Sequence, residues 1–195
     1  MINLDRRRIP RFGSLNGVNE LYGLFDLIQE HLCPDGNRSK ANVLEIGTYL
    51  GASAELFAQC CNEVITVDPR KLDGLDAVLM RNSNLGFMQM KSEEACKHFD
   101  DEFFDLVYID AQHDYEDVKQ DIKLWLPKVK KGGVIAGHDY LTEDITSVPV
   151  EIDWSGKEMG EVNKAVDECF KNVQTYKDSS WAVVVHRNNV NVELL

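Results

Sequence analysis

The sequence predicts an α/β fold with a mostly parallel sheet and helices on both faces, and three observations carry that expectation. Short apolar runs alternate with segments of helical periodicity. The runs are separated by helical stretches of about 10–15 residues, the spacing of right-handed βαβ crossovers. Several runs end in Gly or Asp, where such sheets place their binding residues. In order, Leu21, Phe25, Ile28 and Leu32 recur at 4-3-4 spacing and mark a helix over about 17–32, broken by Cys33-Pro34-Asp35-Gly36. Val43-Leu44-Glu45-Ile46-Gly47 reads as a buried strand entering a Gly turn, and Ala52-Ser53-Ala54 opens a helix running to about Cys61. Val64–Asp68 is a second strand, 85–91 a weak third, and 92–99 a short helix. Phe104–Asp110 is a strong fourth strand. Val118, Ile122, Trp125 and Leu126 then stripe a helix over 115–126 that Pro127 closes. Residues 132–137 turn into a fifth strand that delivers His138-Asp139, and Val162, Ala165, Val166, Cys169 and Phe170 define a last helix. Residues 173–176 and 181–186 read as a closing hairpin around Lys177–Ser180.

Composition narrows the function. The chain has 195 residues, 44% hydrophobic and 28% charged, which fits one globular domain with small decorations and excludes a disordered or fibrous protein. No apolar run is long enough to span a bilayer, and the N-terminus has no signal-peptide core. The net charge of −12 argues against a nucleic-acid interface, which needs a basic footprint. The charge is uneven: Arg6, Arg7, Arg8 and Arg11 with Asp5 put +3 on residues 1–12 and leave −15 on the rest. Residues 1–16 therefore read as a basic arm and 17–195 as one domain. The polar stretch 141–157, with Trp154, is either a lid over an acceptor or a disordered loop. Five cysteines, an odd number without C-x-x-C or zinc spacing, read as buried thiols in a reducing compartment, hence the cytoplasm.

Asp68, Asp110 and His138-Asp139 follow strands, so they should converge on one crevice at the carboxyl edge of the sheet. Leu44–Gly51 lies between a strand and a helix, and Asp68 follows Gly47 by 21 residues, the spacing of a carboxylate that binds a ribose diol. A tight turn with a solvated Asp is the simpler alternative. The loop carries Thr48, Tyr49 and Leu50 where a pyrophosphate would need a second glycine, so it suits an adenosine ligand without phosphates and disfavours NAD.

Glu45-Ile46-Gly47-Thr48-Tyr49-Leu50-Gly51 resembles motif I of class I S-adenosylmethionine-dependent methyltransferases, especially the catechol and caffeoyl-CoA O-methyltransferases. Residues 108–118 and 132–140 are more similar to a bacterial group containing macrolide and aminocoumarin sugar O-methyltransferases and cephalosporin-biosynthesis methyltransferases. The resemblance covers about residues 40–187. It implies a Rossmann-like seven-stranded sheet with a C-terminal antiparallel hairpin. It implies that Gly47, Thr48 and Gly51 shape the methionine-side loop, that Glu45 lies near the cofactor's amino group, that Asp68 holds the ribose, and that Ser92 lies against the adenine; the family's common Gly-Asp pair is replaced here by Met90-Lys91. It further implies methyl transfer from S-adenosylmethionine to a hydroxyl of a small molecule or sugar. Metal-free N- or carboxyl methylation, and cofactor binding without catalysis, are the alternatives.

Catechol-type relatives hold a divalent metal through an Asp ending strand four and an adjacent pair ending strand five. The corresponding residues are Asp110 and His138-Asp139, and the nitrogen ligand would suit a transition metal better than Mg²⁺. Two alternatives stay open: Asp110, His138 and Asp139 ligate a metal, or His138 points away and none binds. His113 stands where those relatives carry a lysine base. It is a candidate base beside Asp110 and Asp139, or else a hydrogen-bonding group at the start of the 115–126 helix. The N-terminal arm, the 141–157 segment and a second subunit of a homo-oligomer are the places left for acceptor selectivity.

Overall fold

In the computed structural model, which describes residues 21–141, 161–186 and 188–191, alternation of strand and helix dictates the topology. Parallel neighbours cannot be joined by a tight turn, so each strand is followed by a crossover. The elements are α1 (Tyr22–His31), β1 (Asn42–Ile46), α2 (Ala52–Cys60), β2 (Glu63–Val67), α3 (Leu75–Arg81), β3 (Leu85–Met88), α4 (Ser92–Ala95), β4 (Phe104–Ile109), α5 (Tyr115–Trp125), β5 (Val129–Gly137), α6 (Val162–Cys169), β6 (Gln174–Thr175) and β7 (Trp181–Val184). The seven strands form one sheet in the order β3-β2-β1-β4-β5-β7-β6. The first five are mutually parallel, and β7 runs antiparallel to both β5 and β6. This is the seven-stranded Rossmann-like arrangement expected, with its closing hairpin.

The register places the site. Ile46 pairs with both Val67 and Ile109, and Ile109 pairs with Gly137, so four carboxyl ends lie level. The ladder continues one residue beyond them: Gly47 donates to the Val67 carbonyl, Asp110 to Ile46, His138 to Ile109 and Asp68 to Met88. Successive connections leave β1 toward β2 and β4 toward β5, which makes the β1/β4 boundary the topological switch point.

β1 and β4 are near-continuous apolar runs because both faces of the sheet are covered. One core cluster sets Leu24, Ile28 and Phe57 from α1 and α2 against Tyr108, with Phe57 and Tyr108 edge to face at 5.4 Å. The other packs Trp125, Val166 and Trp181 against Ile46 and Ile135. All five cysteines are free and buried. No helix among the described residues is long and apolar enough to cross a membrane.

Several expectations are corrected. α3 is an element that periodicity did not mark: after Gly74 in the left-handed region it lasts only seven residues, burying Leu75 and Val78 but exposing Met80. So short a helix supplies too few turns for a periodic signal. The 92–99 helix is one α turn followed by a 3-10 turn at Cys96–His98. β3 stops at Met88 rather than residue 91, and β6 and β7 are shorter than expected. β5 begins at Val129, before the Gly132-Gly133 pair, across a register shift between Phe104 and Leu106 on β4. The basic arm 1–16, the first turn expected for α1 at 17–20, and nearly all of the 141–157 segment including Trp154 lie outside the described residues.

Candidate functional site

A cavity of about 830 Å³ opens at the carboxyl edge over the switch point. Its walls include the Gly47–Leu50 loop, Asp68, Ser92, Asp110, His113, His138 and Asp139, and on one side Leu21 and Leu24 of the α1 region. Parallel pairing thus brings together residues spread over 119 sequence positions, from Leu21 to Asp139.

Gly47 is fixed by close approach. Its φ is +93°, and a Cβ there would meet the Asp110 carbonyl oxygen at 2.0 Å. Asp68 accepts from the backbone N–H groups of Thr48 (3.1 Å), Tyr49 (3.3 Å) and Arg70 (2.8 Å). A carboxylate offers about four acceptor positions, so the loop amides leave room for a further donor from the cavity. Thr48 turns its hydroxyl away from the cavity onto Thr66 at 2.6 Å, and Thr66 donates to Glu45 Oε2 at 2.6 Å. Glu45 is fully buried behind the wall rather than on it, and its Oε1 has no hydrogen-bond partner. Burial pushes its carboxyl up to about 8, against the partial help of the Ser53 and Thr66 hydroxyls. Gly51 is likewise off the wall: it caps α2 at φ +79° against Leu75. Ser92 is on the wall and is bonded to Asp121 at 2.5 Å and Trp125 at 2.8 Å.

At the other end, His113 Nε2 lies 3.0 Å from Asp139 and 3.8 Å from Asp110. One donor atom from each of these three residues lies within 4.8 Å of the others. Burial would lower the His113 pKa, but the two carboxylates outweigh it and raise it. Asp139 sits at φ +59°. Burial opposes its ionisation, yet His138 and His113 together hold its carboxyl below the usual range.

The donor cluster contains His113 where the sequence placed His138, because the two ring nitrogens of His138 are turned to other partners. His138 Nδ1 lies 3.2 Å from Asp139 Oδ1, and its Nε2 faces Ser179 Oγ at 3.4 Å. Burial would lower its pKa, but the Asp139 hydrogen bond and the charges of Asp139, Asp110 and Asp178 push it up to about 10.

The sequence reading missed three contributors. Leu21, which read as a core position, and Leu24, which the stripe did not include, wall the cavity. Asp121 is a cavity-lining carboxylate, and its one signal was a charge interrupting the apolar stripe of α5 between Val118 and Ile122.

With this geometry in view, residues 44–140 match the family model described as a methyltransferase domain. That segment is similar to methyltransferase domains. It runs from β1 to Tyr140 and so holds the loop, Asp68, Asp110, His113 and Asp139. An uncharacterised protein of Acanthamoeba polyphaga mimivirus is 28% identical to this chain over 153 residues, covering 71% of this chain but only 65% of its own length. Among solved structures, a Staphylococcus aureus protein assigned as a caffeoyl-CoA O-methyltransferase has a TM-score of 0.63 at 17% identity, covering 92% of this chain and 87% of its own. The MycE methyltransferase of the mycinamycin biosynthetic pathway, in complex with Mg and SAH, has a TM-score of 0.58 at 17% identity over 92% of this chain and 52% of its own. These structural likenesses establish the fold alone, a seven-stranded Rossmann-like sheet.

Proposed function

We propose that this methyltransferase moves a methyl group from S-adenosylmethionine to a hydroxyl of a small molecule or sugar. The observation that carries the proposal is that the Gly47 loop, Asp68 and the Asp110–His113–Asp139 cluster line one cavity. The residues present fit the cofactor: the loop rests on Asp110 as only a glycine allows, side chains occupy the positions a pyrophosphate would need, and Asp68 keeps acceptor capacity. When bound, the cofactor supplies a methyl group on a sulfonium, open to in-line displacement.

The chain's own part is alignment and proton removal. Gly47 admits the ligand close to the sheet edge, and Asp68 receives the ribose hydroxyls. His113, in its neutral form, takes the proton from the acceptor hydroxyl as the new C–O bond forms. Asp139 and Asp110 orient the ring and stabilise the imidazolium that results. Leu21 and Leu24 offer an apolar wall to the acceptor body.

A second reading is favoured by the donor cluster. Asp110, His113 and Asp139 would hold a divalent ion, and one nitrogen with two carboxylates suits a first-row transition metal better than Mg²⁺. Such an ion would supply a lowered hydroxyl pKa. His113 cannot serve as ligand and base at once, so one experiment separates the readings. S-adenosylhomocysteine formation is measured over a panel of hydroxyl compounds, with and without chelator. His113→Gln should lower turnover roughly 10²–10⁴-fold while S-adenosylhomocysteine affinity stays within twofold, and chelator should have no effect. Loss of turnover in chelator, restored by Mn²⁺, would assign His113 to the metal instead. Unchanged turnover in His113→Gln would remove it from the chemistry.

Asp68→Ala tests the cofactor half by calorimetry. It removes both the amide clamp on the loop and the ribose acceptor. Affinity for S-adenosylhomocysteine should fall about 100-fold or more. A change below threefold would show that Asp68 serves only the turn.

A further inference from the structure

The turn between β6 and β7 holds three parts of the cavity wall without lining the cavity itself. Ser180 Oγ is bonded to the hydroxyl of Tyr108, near the end of β4, at 3.1 Å. The Ser179 carbonyl accepts the Tyr140 N–H at 3.0 Å, and the Ser179 hydroxyl faces His138 Nε2 at 3.4 Å. The turn therefore grips the residues on either side of Asp139. Asp178 reaches α1. Its Oδ2 accepts the Leu24 N–H at 2.6 Å, and its Oδ1 accepts the Ser180 N–H at 3.0 Å.

The Asp178–Leu24 bond is a helix cap supplied from a distant segment. The first N–H groups of a helix have no partner within it, and Leu21, at the cap position of α1, has no side-chain oxygen to offer. The first turn of α1 carries no acidic residue, and Asp178 brings a carboxylate to the positive end of the helix dipole. The helix is shaped to receive it. A Cβ on Gly23 would stand 1.9 Å from Asp178 Oδ1 and 2.3 Å from its Cγ, which accounts for a glycine where a helix otherwise disfavours one.

The far end of α1 is tied to the same hairpin by other residues. Gln174 donates to Glu30 at 2.6 Å, and the Tyr176 hydroxyl lies 3.0 Å from His31 Nε2. Phe25, Leu27 and Ile28 are buried in the core. Asp178 thus governs where the first turn of α1 sits rather than whether the helix is attached. That turn holds Leu24, directly after Leu21, and both are wall residues.

We propose that Asp178 is a positioning residue for the methyl acceptor: through the Leu24 amide it sets the Leu21 and Leu24 wall at a fixed distance from the His113–Asp139 pair. The inference rests on the hydroxyl-methylation reading above.

The test compares the wild-type protein with Gly23→Ala, Asp178→Ala and the double variant. Kinetics use the panel hydroxyl compound that the wild type methylates fastest, and calorimetry uses S-adenosylhomocysteine. Asp178→Ala should raise the acceptor KM about tenfold and lower kcat/KM roughly 10–100-fold, because a small displacement of the wall misaligns the hydroxyl. Its affinity for S-adenosylhomocysteine should stay within twofold. Gly23→Ala should behave alike, since Asp178 is held by two amides and either the carboxylate or the helix turn must give way. In the Asp178→Ala background Gly23→Ala should add less than twofold, because the atoms it strikes are gone.

An unchanged acceptor KM in Asp178→Ala would overturn the inference, and so would additive losses in the double variant. Cofactor affinity falling in step with kcat/KM would show a general structural role and overturn it too. If Asp178→Ala does not fold, Gly23→Ala decides by the same split between acceptor KM and cofactor affinity. Wild-type protein that binds S-adenosylhomocysteine yet methylates no panel compound would overturn the hydroxyl reading, and this inference with it.

Discussion

Gly47→Ala should cost the domain about 3 kcal/mol or more and abolish S-adenosylhomocysteine binding in the same step. Two independent penalties act at this position. A φ of +93° is open to glycine and strained for alanine, by roughly 1–2 kcal/mol. The new Cβ would also stand 2.0 Å from the Asp110 carbonyl oxygen and 2.6 Å from its carbon. Those atoms are backbone, and Asp110 is tied into the sheet by its hydrogen bond to Ile46, so no rotamer change relieves the contact. The Gly47 loop and Asp110 must move apart. The loop carries the Thr48 and Tyr49 amides bonded to Asp68, and Asp110 belongs to the reactive cluster, so both halves of the cavity are disturbed. Urea unfolding and a ligand titration measure the two effects. A variant within 1 kcal/mol of the wild type that still binds normally would refute the close-approach argument.

Glu45→Gln should remove one pH dependence of stability and so reverse the ranking of variant and wild type between acid and alkaline pH. Burial raises the Glu45 pKa from 4.5 to about 8 in the folded protein. Between those values the unfolded chain releases a proton that the native state retains. This contribution to stability is therefore complete below about pH 4.5 and is lost as pH rises through about 8. The shift corresponds to roughly 3–5 kcal/mol at about 1.4 kcal/mol per unit. Glutamine keeps an acceptor for Thr66 but buries an amide, at a cost of about 1–3 kcal/mol. The variant should be the less stable protein at pH 5 and the more stable by about 2 kcal/mol at pH 8.5. Chemical denaturation at the two pH values checks the crossing, and parallel stability profiles would contradict it.

Much of this site was legible in the sequence because its residues follow strands. Gly47, Asp68, Asp110 and Asp139 each come immediately or almost immediately after an apolar run, and parallel register makes strand ends neighbours. His113 was legible for a related reason, being three residues past Asp110. Side-chain direction was not. Thr48 and Glu45 lie in the same motif as Gly47, yet they bond inward through Thr66, because β2 packs beside β1 and offers a hydroxyl there. His138 precedes Asp139, yet it turns to Ser179 of the hairpin, a contact between residues 41 positions apart.

The sequence by itself determined the order of the strands and of every helix but α3, the crevice at the switch point and the carboxylates that meet there. Periodicity and the short range of turn chemistry are local properties, and the handedness of crossovers leaves few topologies. Only the tertiary structure decided which groups face the cavity and in which protonation state. It made His138 a charged neighbour of Asp139 and put His113 in the donor cluster. It placed Glu45 out of reach behind the wall and aimed Asp121 into the cavity from α5. Those outcomes depend on burial and on the sum of charges from distant segments, and neither quantity is carried by any one stretch of chain.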